Sequence, residues 1–142
     1  MTPFEAVKAA ADHFSSFPSF KVSSYPRGVS AARDGEIHGF VIQTGSAVVD
    51  GEDTSTTYTV DCRLILFVTA QTNPEDAAKT VSDITAYGGD KSIFSVLHDD
   101  DGGSTLGNKV RWVEWGFDVD VSFDVDDMEY ALTTDFALHI DR

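Results

Sequence analysis

The feature that most constrains the fold is an alternation of apolar and polar residues late in the chain. Val113, Trp115, Phe117, Val119, Val121 and Phe123 alternate with Glu114, Asp118, Asp120 and Ser122. After residues 124–127 a second series follows, Met128, Tyr130, Leu132, Phe136, Leu138 and Ile140 against Glu129, Thr133, Asp135, His139 and Asp141. A period of two sends successive side chains to opposite faces of a strand, so both segments read as half-buried strands. With 124–127 as a hairpin loop, Phe123 faces Met128, Val121 faces Tyr130, Val119 faces Leu132, Trp115 faces Phe136 and Val113 faces Leu138. Every apolar pair then shares one face, and a one-residue slip would bury Asp118 and Asp120, which pins the register. A third alternation, Tyr58, Val60, Cys62, Leu64, Leu66 and Val68 against Thr59, Asp61, Arg63 and Thr69, predicts another long strand. Ile65 and Phe67 interrupt its polar side, so its far end is expected to be covered on both faces.

The remaining segments supply what packs on these strands. Thr2-Pro3-Phe4-Glu5 is a helix start with a capping box, and Phe4, Val7, Ala11 and Phe14 form a stripe to dock on a sheet. Residues 20–25 predict a short strand, 26–35 a loop or hairpin turn, 36–44 a strand and 45–57 a polar, glycine-bearing excursion. Asn73-Pro74-Glu75-Asp76 opens a second helix with Ala77, Val81, Ile84 and Tyr87 inward, stopped by Gly88-Gly89. Asp90 can cap a short third helix carrying Ile93, Val96 and Leu97 inward. The order α-β-β-β-α-α-β-β predicts an α+β fold: an antiparallel sheet of about four to five strands with two to three helices on one face. The 142 residues suit a single domain, 1–142, large enough to bury its own core.

Ten basic against 24 acidic residues give a net charge of −14. That argues against the clustered Lys and Arg of a DNA- or anionic-membrane-binding surface, and suits a cationic partner, calcium, a role in keeping nucleic acid at a distance, or a salt-adapted host. No run reaches the length of a membrane span, and the first residues lack the pattern of a secretory signal. Cys62, the sole cysteine, lies on an apolar strand face and reads as a buried, inert thiol. No nucleophile elbow, phosphate loop, dinucleotide fingerprint or Cys–His pair occurs, so neither enzymatic activity nor a cofactor is expected. Asp99, Asp100 and Asp101 precede Gly102-Gly103 but lack the alternating ligands of a calcium loop, and His13, His38, His98 and His139 are too scattered for zinc. Glu114, Asp118, Asp120 and Asp135 share the polar face of the last hairpin with no basic residue in register to split them into acid and base. They are a solvated face, or an acidic surface that lines a pore or meets a cationic partner. Trp112 falls on the polar side of its strand, which makes it either covered by a helix or loop or an interface anchor.

The succession of the 58–68 strand, the Asn73-Pro74-Glu75 helix, Ile93-Phe94-Ser95-Val96-Leu97 and a final hairpin resembles the tail terminator (tail completion) proteins of long-tailed bacteriophages. In that family a short segment of the form aL…D…tLgg.V leads into the last hairpin. Here it reads Val96-Leu97-His98-Asp99-Asp100, then Ser104-Thr105-Leu106-Gly107-Asn108-Lys109-Val110. Residues 99–103 and 45–57 are wider than the family pattern. The resemblance implies a structural protein of the virion tail, assembled in the host cytoplasm. It would form a homo-oligomeric ring, usually a hexamer, that caps the tail tube, ends its polymerisation and meets the head-completion protein. It places Leu106 and Gly107 near a ring or tube contact, beside Asp99, Asp100 and Asp101, with Trp112 as an anchor. The family pattern does not assign the acidic residues; on charge alone, Glu114, Asp118, Asp120 and Asp135 are expected to line an electronegative lumen of such a ring. The alternatives are another neck or head–tail connector subunit, or an unrelated cytoplasmic α+β ligand-binding domain.

Overall fold

The computed structural model describes residues 1–26, 36–49, 57–98 and 105–141. Helix α1 (Pro3–Ser15) starts as the sequence dictates: Thr2 Oγ1 accepts from the Glu5 amide and Glu5 Oε1 from the Thr2 amide, both at 3.2 Å. Ala6, Val7, Ala10, Ala11 and Phe14 are buried, while Phe4 lies at the margin of that arc and is exposed. Strands β1 (Phe20–Ser23), β2 (Ile37–Gln43), β3 (Val48–Val49) and β4 (Thr57–Thr69) follow, then helices α2 (Pro74–Thr85) and α3 (Ile93–Leu97). Strands β5 (Trp112–Trp115), β6 (Asp120–Asp124) and β7 (Glu129–Asp141) complete the described elements. Asn73 caps α2 by accepting from the Asp76 amide. Helix α2 ends before Gly88-Gly89, which leaves Tyr87 outside the helix and exposed. Ser92, not Asp90, caps α3, accepting from the Phe94 amide and donating to the Ala86 carbonyl.

The α+β class holds, but the sheet is mixed and seven-stranded, ordered β1-β2-β4-β7-β5, with β3 beside β4 and β6 beside β7. Three departures from the expected sheet have physical causes. Strands β1 and β2 run parallel, Phe20 opposite Ile37, so the connection between them is a crossover and not a hairpin. The turn expected over 26–35 falls mostly outside the described residues. The 45–57 excursion contributes the two-residue β3, which pairs with Tyr58 and Thr59 beyond the end of β2. The single strand expected over 109–123 is two strands placed in succession on one edge of β7.

That break decides the register of the last hairpin. Strand β5 pairs as its alternation requires, Val113 opposite Leu138 and Trp115 opposite Phe136. Strand β6 is displaced by two residues, so Val121 faces Leu132 and Phe123 faces Tyr130. A displacement of two keeps the apolar side chains on their face, the constraint that fixed the expected pairing. Residues 116–119 absorb the extra length in a bulge that buried Thr134 fastens. Its hydroxyl donates to the Asp118 carbonyl at 2.5 Å and accepts from Trp115 Nε1 at 2.6 Å. Thr134→Val preserves shape but strands both partners, and is expected to cost about 2 kcal/mol. A lowered midpoint in urea with an unchanged slope is the readout.

Val60, Cys62, Leu64, Leu66 and Val68 of β4 join Leu132, Phe136, Leu138 and Ile140 of β7 and the buried faces of all three helices in one cluster. On the other sheet face Ile65 and Phe67 are half-buried, short of the full cover expected, with the Phe67 ring 6.2 Å from Phe40. The N-terminal end is tied to this frame by the Tyr58 hydroxyl, which donates to the Met1 carbonyl.

Candidate assembly surface

The last hairpin presents two unlike faces. On the side away from the helices, the ladder sets Glu114 and Asp61 on either flank of Ala137, Asp135 opposite Arg63 and Asp120 opposite Thr133. Glu114, Asp120 and Asp135 therefore share this face, and all three are exposed. Asp118 is exposed too, but belongs to the bulge between strands. A shallow depression of about 320 Å³ lies here, lined by Thr44, Asp61, Glu114, Gly116, Asp135 and Ala137.

Contrary to the expectation of no basic residue in register, Arg63 grips Asp135 through two bonds, Nε to Oδ1 at 2.7 Å and Nη2 to Oδ2 at 3.2 Å. That bonding holds the Asp135 carboxyl below its ordinary range and lifts the Arg63 guanidinium above its own. Arg111 likewise meets Asp141 at 2.8 Å. The face is thus acidic with fixed basic counterparts, not a uniform sheet of carboxylates. Trp112 stacks flat on His139, centroids 3.9 Å apart and planes 3° from parallel. His139 Nδ1 lies 3.1 Å from Thr59 Oγ1 and Nε2 lies 3.5 Å from Glu114 Oε1. Among the described residues no helix covers Trp112, which keeps 44% of its surface exposed.

Among the described residues, β6 is left open on the helix side. Val121 and Phe123 are exposed there, Phe117 of the bulge and Val125 of the following turn are exposed too, and the Phe123 ring rests 4.7 Å from Tyr130. The chain's own helices therefore do not fill the apolar side of the sheet as its alternation led us to expect. Phe117 holds a left-handed backbone (φ 59°), a strained state for a bulky residue. Its ring is held by Trp115 at 4.9 Å, Phe94 at 5.4 Å and His98 at 5.5 Å.

The other residues singled out by sequence disperse. Leu106 is a core residue, 2% exposed, at the start of a turn in which Leu106, Gly107 and Asn108 all take positive φ. Of the Leu106-Gly107 pair, only Gly107 reaches the surface. Asp99, Asp100 and Asp101 lie outside the described residues. Among the described residues no three His, Cys, Asp or Glu side chains gather as a metal site. Cys62 is buried, and burial, reinforced by neighbouring Asp61, pushes its thiol up to about 12.

Glu129 opposes Asp124 across the β6–β7 ladder. Burial first, then Asp127 and Asp124, raise its pKa above the ordinary value. A carboxyl raised on folding stabilises fully below its unfolded pKa of about 4.3 and loses that contribution as pH rises through the folded value. Glu129→Gln is therefore expected to raise stability at pH 7 by about 0.5 kcal/mol, as suits a screened pair, and to leave it unchanged near pH 3. Melting curves at both pH values check the sign.

Sequence reasoning missed Thr134 and Arg63. Thr134 interrupts the apolar series between Leu132 and Phe136, and a polar residue at a core position signals a buried hydrogen-bond anchor. Compared with known proteins, the chain matches no family model and no curated protein sequence.

Proposed function

We propose that the protein is a non-enzymatic assembly subunit, a tail terminator of a long-tailed bacteriophage. In this reading copies close into a ring, a hexamer, on the tail tube. The ring ends the tube's polymerisation and presents a surface to the head-completion protein. It is assembled in the host cytoplasm and stays at the head-proximal end of the tail. The observation that carries the reading is the set of exposed apolar side chains along one sheet edge, Phe117, Val121 and Phe123 together on the helix side and Trp112 alone on the other. Monomeric proteins seldom leave such surface uncovered unless a partner covers it. Head-to-tail contacts that close on themselves make rings, and Trp112 with the turn at Gly107 supplies one side of such a contact. The acidic face around Glu114, Asp120 and Asp135 suits a lumen through which DNA passes, because Arg63 and Arg111 are already paired with Asp135 and Asp141 and leave phosphates little counter-charge.

Sedimentation of the protein alone and mixed with tail-tube protein tests this. A ring, formed alone or on mixing, is expected. Trp112→Ala should impair that assembly while shifting the melting temperature by less than about 5 °C. A monomer under both conditions overturns the ring, and unfolding of the variant monomer makes Trp112 a structural residue.

A further inference from the structure

The two ends of the sheet are finished differently. At the β1 end, Ser15 Oγ of α1 donates to the Val22 carbonyl at 2.9 Å and accepts from the Val22 amide at 3.1 Å. The outward amide and carbonyl of Val22, in the middle of β1, are thereby occupied. At the other end β6 is bonded, among the described residues, on its β7 side only. An open row of amides and carbonyls is a template for another strand.

The side chains of β6 specify what that strand carries. Val121 and Phe123 keep 46% and 41% of their surface exposed on the helix side. Asp120, Ser122 and Asp124 point to the opposite face, in register with Thr133, Ala131 and Glu129. The bulge fastened by Thr134 bounds the site on one side. On the other is the turn in which Asp124 Oδ1 accepts the amides of Asp126 and Asp127 at 2.9 and 3.2 Å. Five residues of edge remain between them.

We propose that β6 is a strand-addition site for an extended segment of a cationic partner protein. Apolar residues at alternate positions of that segment extend the Val121 and Phe123 face, and Lys or Arg at the intervening positions meets Asp120 and Asp124. Charge and length together disfavour the chain's own β6 as the occupant. Antiparallel self-pairing centred on Ser122 sets Asp120 of each copy against Asp124 of the other. Centring it on Val121 or Phe123 instead sets Ser122 opposite Asp120 or Asp124 and leaves only three residues of each β6 paired. Like charges directly opposite are destabilising, more so between molecules of net charge −14. The site does not depend on ring formation.

The test titrates the full-length, ¹⁵N-labelled protein with a blocked heptapeptide of alternating Lys and Val, and with its Glu and Val counterpart. The Lys peptide is expected to shift the 120–124 amides, slow their exchange with solvent and bind more weakly as salt rises. Asp120→Lys with Asp124→Lys should weaken it at least about tenfold, a loss of about 1.4 kcal/mol. The same variant should admit the Glu peptide. Phe123→Ser, which keeps both carboxylates, should also weaken the Lys peptide. Equal binding of the two peptides to the unaltered protein overturns the proposal. So does the absence of binding at millimolar peptide, or shifts at Asp61 and Glu114 with unaltered exchange at 120–124. A protein already paired through β6 as a dimer, dissociated by Phe123→Ser in sedimentation, overturns it in favour of a second copy.

Discussion

Gly39→Ala is expected to destabilise the protein by about 3 kcal/mol or more, at the upper end of what one added methyl does in a packed interior. Gly39 sits in the middle of β2 opposite Leu66 of β4. A Cβ built there meets the Ile65 carbonyl oxygen at 2.1 Å and Leu66 Cδ2 at 2.9 Å. The first of these is backbone, so no rotamer change relieves it. Strands β2 and β4 must separate, at the centre of the sheet, where β4 also holds β7 along thirteen paired positions. Gly88→Ala is the control, since a Cβ there meets nothing within 4 Å and the backbone needs no positive φ. Urea unfolding of the two variants should show a large loss of midpoint for the first and almost none for the second. Equal midpoints would mean that the sheet accommodates the methyl by sliding.

Phe14→Ala is expected to cost about 3–5 kcal/mol, and Phe4→Ala less than about 0.5 kcal/mol. Both residues lie on the same helical stripe, yet Phe14 is fully buried and Phe4 is 60% exposed. The Phe14 ring meets Phe20 edge-on at 5.7 Å, and Phe20 meets Phe17 at 6.5 Å, so three rings clamp α1 to the start of β1. Truncating Phe14, the ring that α1 contributes from its buried face, leaves a cavity bounded by helix and sheet, which rigid neighbours fill only in part. Calorimetry of both variants separates the readings. A Phe4 effect as large as that of Phe14 would show that the stripe docks along its whole length.

What could be read from sequence was what depends on near neighbours. The Thr2 and Asn73 caps are local, and both form. The alternation of Val60, Cys62, Leu64, Leu66 and Val68 gave the buried face of β4 correctly because a strand's period needs no partner to be visible. The parallel β1–β2 pair was not legible, because strand direction depends on the path of the chain between Ser23 and Ile37. The break between β5 and β6 left two traces, Gly116 in the polar series and Thr134 in the apolar one. Only together do they mark a bulge. Tyr87 and Phe4 keep the helical period yet lie beyond what the sheet covers, since a period cannot say where the partner surface ends. The same limit hid the open side of β6, whose alternation is identical whether a helix lies above it or not. For the assembly surface, Trp112 stood out as an aromatic on a polar face, whereas its stack on His139 required the register of β5 against β7.

The hydroxyl of Ser15 has a bearing on solubility. Fibrils grow head to tail when each molecule both receives a strand and donates one, and a sheet with two bare margins supplies both halves of that joint. With the Val22 amide and carbonyl already engaged by Ser15, the β1 margin is blunted as a partner in such a joint. Head-to-tail growth that runs through β1 is thereby opposed by a side chain on a helix and not by dilution.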